Sequence, residues 1–239
     1  MQSKAVDHKE IEWQFDAPDL ERVESWLEEH PSTSGLSVVP GVTRELTDTY
    51  YDTEDWRFYR AGYALRIRRD GKDVEATMKS LAPAEGALRR RREISVPLKA
   101  DANTLKEATG PVGERLRRLA GNRDLHPLFE ARTRRRTFVL HPVGSTGKHA
   151  VGEVALDESE IPSDGQARLS RVEVEVSPDA EQDHSVGEFV DRLRDTLGLR
   201  PTEASKFEVG LAAAGLSPPL APDLDPSERN RRSDEKDGR

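Results

Sequence analysis

Apolar and charged side chains alternate at a period of two along several segments, which sets them on opposite faces of a strand. Ile11, Trp13 and Phe15 alternate with Glu10, Glu12 and Gln14, and Val172, Val174 and Val176 with Glu173 and Glu175. Leu65 and Ile67 alternate with Arg66 and Arg68, while Ala76 and Met78 alternate with Thr77 and Lys79. Such runs predict strands at roughly 8–15, 45–52, 63–69, 73–80, 88–97, 130–140, 150–158 and 169–177. About eight strands suffice to close a barrel around a lumen. Asp70-Gly71-Lys72, the Pro83–Gly86 segment and the Gly144–Gly147 loop read as hairpin connections.

A helical period appears elsewhere. After Pro18, the stripe Leu20, Val23 and Leu27 predicts a helix ending near Pro31. A second is expected over about 104–119, with a break at Gly110-Pro111, and a third from Val186 through Leu197, stopped by Gly198. A short last helix is expected around Ser205–Ala214. Each helix offers one apolar stripe that needs an apolar surface to cover. The expected fold is α+β: a closed eight-stranded antiparallel β-tunnel with a charged lumen and helices packed outside. A sandwich with its charges turned to water stays open on the pattern alone.

Composition narrows the picture. Of 239 residues, 34% are hydrophobic and 34% charged, so charges are expected both in a polar interior and in a tail. Residues 1–215 read as one domain; 216–239, first Pro-rich and then mixed in charge, read as a disordered tail. The net charge of −8 argues against an outer nucleic-acid footprint but leaves room for a basic pocket. With no cysteine, disulfides, thiolate metal sites and cysteine nucleophiles are excluded. No apolar run is long enough to span a bilayer and no signal peptide is visible, so a cytoplasmic protein without membrane contact is expected.

The polar strand faces carry the candidate chemistry. They offer Glu10, Glu12, Arg66, Arg68, Lys79, Arg91, Glu93, Arg135, Glu153, Asp157, Glu173 and Glu175, with Lys206 added from the last helix. Glu-x-Glu places two carboxylates about 7 Å apart on one side of a strand. Two such pairs make a hard, oxygen-rich site suited to Mg²⁺ or Mn²⁺. Arginines two apart present forks that match phosphate oxygens. Buried charges at this density require mutual compensation. The six histidines show no metal-ligand spacing and read as surface residues. Gly144–Lys148 lacks the first glycine of a phosphate loop, since Pro142 stands there, and reads as a hairpin turn. In the run Arg89–Arg92, alternation sends Arg89 and Arg91 inward and leaves Arg90 and Arg92 at the rim.

In this order the motifs resemble the CYTH superfamily of triphosphate tunnel metalloenzymes, which includes CyaB-type adenylate cyclases and thiamine triphosphatases. Glu10-Ile-Glu12-Trp-Gln14 resembles the N-terminal Glu-x-Glu-x-Lys signature, and Tyr50–Thr53, Tyr59–Gly62 and Leu65–Arg68 the stretch into the paired arginines. Thr77-Met-Lys79, Arg91-Arg-Glu93, Arg132–Arg135, Ala155–Asp157, Val172–Glu175 and Ser205–Phe207 are similar to later elements, so the resemblance covers roughly 8–211. It implies that Arg66, Arg68, Lys79, Arg135 and Lys206 hold phosphates; Gln14, whose amide can donate to a phosphate oxygen, and Arg91, placed inside by alternation only, are expected beside them. It further implies that Glu10, Glu12, Asp157, Glu173 and Glu175 hold Mg²⁺ or Mn²⁺. Glu10, Glu12, Lys79, Glu93 and Lys206 would carry the chemistry. The implied partner is a small-molecule triphosphate or polyphosphate, with inorganic triphosphate the first expectation because no aromatic-rich pocket for an organic group is evident. A binding-only module and a cyclase of the CyaB branch remain alternatives. Gln14 departs from the signature lysine, and a lost charged contact to phosphate costs about 1.5–3 kcal/mol.

Overall fold

The computed structural model describes residues 6–99, 105, 108–145, 149–163 and 166–218. Strand β1 (Val6–Asp16) sets the geometry of the whole fold. It pairs with β6 (Leu88–Leu98) on one side and β9 (Ala167–Val176) on the other. From β6 the sheet continues through β5 (Asp73–Ser80), β4 (Tyr63–Asp70), β3 (Leu36–Asp52), β7 (His126–Pro142) and β8 (Gly152–Ile161) back to β9. All pairings are antiparallel, and the β1–β9 ladder closes the ring. Eight strands form the expected barrel. Two short strands decorate it: β2 (Ser32–Thr33) on β3 and β10 (Arg200–Pro201) on β1.

The apolar faces point outward, as the amphipathic helices require. Ile11, Phe15, Val154, Leu156, Val172 and Val174 pack beneath α1 (Leu20–Glu29) and α4 (His184–Leu197), which contribute Val23, Leu27, Phe189 and Leu193. On the opposite wall Leu65, Ile67, Ala76, Met78 and Ile94 are covered by Phe58 of α2 (Arg57–Arg60) and by Val112 and Leu116 of α3 (Gly110–Ala120). A third cluster closes one end of the barrel: Tyr50, Ala64, Phe129 and Ala131 meet Phe207 and Leu211 of α5 (Lys206–Ala213). The sandwich alternative is thereby excluded. None of the described helices is long and apolar enough to cross a membrane.

Several boundaries differ from the sequence reading. β3 starts nine residues earlier than its predicted start at 45, because Pro40 and Gly41 sit at a register shift against β7 that tolerates a missing ladder bond. Gly110-Pro111 begins α3 instead of breaking it, since proline at the first helical turn loses no bond. β2, α2 and β10 are too short to leave a periodic signal. Parts of the predicted 104–119 helix, part of the Gly144–Gly147 turn and the tail from 219 onward lie outside the described residues.

Candidate functional site

Alternation places Glu10, Glu12 and Gln14 inside the barrel at 4, 2 and 5% exposure, while Ile11 and Phe15 go outside. The same register brings Arg66 and Arg68 from β4, Lys79 from β5, Arg91 and Glu93 from β6, Arg135 from β7 and Glu173 and Glu175 from β9 around a cavity of about 150 Å³. Arg135, not its neighbours, faces inward, because Phe138 belongs to the outer cluster. Lys206 reaches the same cavity from α5, where Ser205 and Glu208 form a capping box that fixes the first turn. Glu12 and Asp157 lie inside the barrel but behind the cavity wall, and Glu153 lines a separate depression at the far mouth beside Glu175. Arg90 and Arg92 turn outward to Glu181 and Asp7, as alternation requires.

Acids and bases meet in pairs across the lumen. Lys79 Nζ donates to Glu10 Oε1 at 2.5 Å and lies 3.1 Å from Glu93. Arg91 donates to Glu12 and stands 3.3 Å from Glu10. Arg135 donates to both Asp157 oxygens at 2.7 and 2.8 Å and to Glu173 at 2.6 Å. Lys206 Nζ completes this group, donating to Asp157 and to the Thr133 hydroxyl at 3.2 Å each. Gln14 donates its amide to Glu173 at 3.1 Å. Burial alone would push these carboxyls up, but Lys79 and Arg66 outweigh it at Glu93 and bring it down to about 2. Glu10 is likewise lowered, burial being overcome by Lys79 and Arg91, and so is Asp157, through Lys206 and Arg135.

Glu175 behaves oppositely. Burial, reinforced by Glu10, pushes its carboxyl above the ordinary range, with Glu93 and Glu173 adding to the effect. Glu10 Oε2 is also buried without a hydrogen-bond partner. Glu175 thus feels the charges of Glu10, Glu93 and Glu173, while Arg91 Nε lies 3.3 Å from Glu10 Oε2. Hard carboxylate oxygens are the donor type a divalent cation prefers, so the residue types fit Mg²⁺ or Mn²⁺. Among the described residues no three such groups converge on one point, because Glu10 and Glu173 face bases.

Three features escaped the sequence reading. Asp48, at 0% exposure, accepts from Arg68 at 2.8 Å through each oxygen and lies 3.5 Å from Arg66. Burial opposes its ionisation, yet the two arginines hold it well below the usual carboxylate range. The alternation Asp48-Thr49-Tyr50 was its only signal. Tyr50, Leu81 and Phe207 form an apolar lip on the cavity, with Tyr50 stacked on Phe129 at 4.6 Å. No aromatic-rich pocket is evident in the sequence, and the Tyr50 and Phe207 rings escape it because they come from segments far apart. His8 is half-buried with its Nδ1 unpartnered, so it is not a plain surface residue; it stands opposite Glu93 in the β1–β6 ladder.

Comparison with solved structures agrees with this architecture. The Hippeastrum protein HpAC1, an adenylyl cyclase candidate with dominant triphosphatase activity, is 16% identical with a TM-score of 0.63, over 90% of this chain and 100% of that one. An adenylate cyclase candidate from Bacillus halodurans is 18% identical with a TM-score of 0.56, over 85% and 97%. A Pyrococcus horikoshii protein is 21% identical with a TM-score of 0.52, over 85% and 98%. At such identities the likeness establishes the fold. No curated protein matches the chain. The CYTH domain model matches residues 8–208, almost the whole barrel and the first residues of α5, and the chain belongs to the CYTH domain family.

Proposed function

We propose that the barrel is a divalent-metal-dependent hydrolase of a triphosphate compound. The observation that carries this reading is the enclosed lumen in which Arg66, Arg68, Lys79, Arg135 and Lys206 face a cavity that Glu10, Glu173 and Glu175 also line. A linear polyanion would offer these bases further acceptors beside their present carboxylate partners, because phosphate oxygens, like carboxylates, take guanidinium forks in pairs. Arg66, Arg68 and Arg135 would hold and orient the chain; Lys79, Lys206 and Arg91 would neutralise charge that develops on the departing diphosphate. Glu10, Glu173 and Glu175, with Glu12 and Asp157 behind them, would hold Mg²⁺ or Mn²⁺. The ion would supply charge compensation on the phosphate oxygens and a polarised water. Glu93 would keep Lys79 charged and aimed at the lumen, since it lies 3.1 Å from its ammonium.

The lip of Tyr50, Leu81 and Phe207 favours a second reading, a triphosphate that bears an organic group. One assay separates the readings: inorganic triphosphate, ATP and thiamine triphosphate are supplied with Mg²⁺, with Mn²⁺ or with chelator, and phosphate and cyclic AMP are followed. Metal-dependent phosphate release, lost in Glu173→Gln, is the expected result. Tight binding without product in any arm would make the protein a binding module, and cyclic AMP would make it a cyclase.

A further inference from the structure

Two buried arginines have no place in that scheme. Arg89 and Arg171 occupy inward positions of β6 and β9, the strands on either side of β1, at 4 and 2% exposure. Neither lines the cavity. Both instead reach the segment that runs from β10 to α5. Arg89 Nη2 donates to the Thr202 carbonyl at 3.2 Å and lies 3.3 Å from its hydroxyl; Arg171 Nη2 donates to the Ala204 carbonyl at 2.6 Å. Thr202 is tied from the third side, its N–H donating to the Gln14 carbonyl at 3.1 Å. Ser205 follows at once as the N-cap of α5, and Lys206 comes next.

This arrangement costs more than a passive strap requires. Arg89 Nε and Arg171 Nε and Nη1 are buried without acceptors, and the acid nearest Arg171 is the half-exposed Asp16 at 3.5 Å. Burial disfavours ionised Arg89, and the neighbouring Arg171 charge adds to this, although Glu208 pulls the other way. Two like charges held this way must do something that apolar packing would not. They stand at the Gln14 end of the lumen, where residue 14 carries no charge, and they grip the Thr202 and Ala204 carbonyls, four and two residues before Lys206.

We propose that Arg89 and Arg171 are positioning residues: they clamp the 202–204 strap so that Lys206 enters the lumen, and they supply positive potential at the end where Gln14 stands. The part concerning Lys206 and phosphate rests on the triphosphate reading above; the clamp itself does not. Arg89→Met and Arg171→Met keep most of the side-chain volume and remove the donors. Hydrogen exchange in each variant, at the amides of Thr202, Val209 and Leu216, is expected to accelerate more than tenfold, with β7 and β8 unchanged. Affinity for inorganic triphosphate, measured by calorimetry in chelator, is expected to fall about as far as in Lys206→Ala, and the double variant Arg171→Met/Lys206→Ala to fall no further. Arg171→Lys, which retains one donor and the charge, should restore most of the protection, and it serves as the comparison if the methionine variants do not fold. Unchanged exchange in 202–216, or losses that multiply in the double variant, would overturn the clamp. Failure of the unmodified protein to bind triphosphate with Mg²⁺ or Mn²⁺ as well as in chelator would instead overturn the functional reading, leaving the exchange result to judge the clamp.

Discussion

Replacing Asp48 by asparagine tests whether the lumen is a store of paired charge. The carboxylate is wholly buried and holds Arg68 through two bonds of 2.8 Å, with Arg66 3.5 Å away. Asparagine keeps the shape and one acceptor but removes the carboxylate paired with two guanidinium groups, at 12 and 19% side-chain exposure. Removing one member of a buried pair costs about 3–5 kcal/mol. For a domain of this size that corresponds to a fall in Tm of roughly 6–20 °C. The same change leaves Arg66 and Arg68 free to meet a ligand, because Asp48 no longer competes. Thermal and urea denaturation should therefore show a large loss without ligand, and saturating inorganic triphosphate should restore more stability in Asp48→Asn than it adds to the unmodified protein. A loss below about 1 kcal/mol, far under the range for broken buried pairs, would refute the pairing argument, and equal ligand-induced shifts would refute the competition.

The remaining predictions concern acid, residue 14 and the plugging helix. Asp48 is lowered and Glu93 is lowered to about 2, so both stabilise the fold above the unfolded carboxylate range near pH 4 and lose that contribution as pH falls through their folded values. Tm should drop steeply between about pH 4 and pH 2, and less steeply in Asp48→Asn; parallel slopes would contradict the assignment. Gln14→Lys adds a lumen cation facing Glu173 and should tighten inorganic triphosphate about tenfold, the lower end for a charged contact; calorimetry showing no change would remove residue 14 from recognition. At Gly210 an added Cβ would stand 2.0 Å from the Phe129 ring, which is itself stacked on Tyr50. Gly210→Ala should cost about 1–3 kcal/mol through overpacking and displace α5; denaturation and Lys206-dependent binding should fall together, and unaltered stability would show that the ring yields.

How much of this was legible in the sequence depended on signal length. β1 and β9 carry three or more alternations each, so Glu10, Glu12, Gln14, Glu173 and Glu175 could be placed inside before any coordinates. β7 needed one extra clue, the outward Phe138, to choose Arg135 from three consecutive arginines. Asp48 lacked a charged partner two residues away and stayed hidden among threonine and tyrosine. Arg171 hides for another reason: its partner is the backbone carbonyl of Ala204, thirty-three residues later, and backbone acceptors leave no trace in composition. The tunnel lip was equally invisible, because Tyr50, Leu81 and Phe207 meet only after α5 folds across the barrel end. Sequence periodicity reports which face a residue takes; it is silent on what waits across a lumen.

That silence matters most for binding. A lumen whose bases already hold acids cannot receive a polyanion alone without stranding Glu10, Glu93 and Glu173. Nor can it receive a cation alone without stranding Lys79 and Arg135. Either event leaves unpaired charge in a buried site, at a cost of several kcal/mol. On the proposed reading the two ligands arriving together would relieve each other's penalty, so each would raise the affinity of the other, and by the same factor. The outer clusters, which carry the apolar burial, are untouched by this exchange. The apolar burial of this inside-out barrel thus lies in its outer layer, while the charges that such ligands would rearrange lie in the lumen, where they stabilise the fold only as long as each keeps a counter-charge.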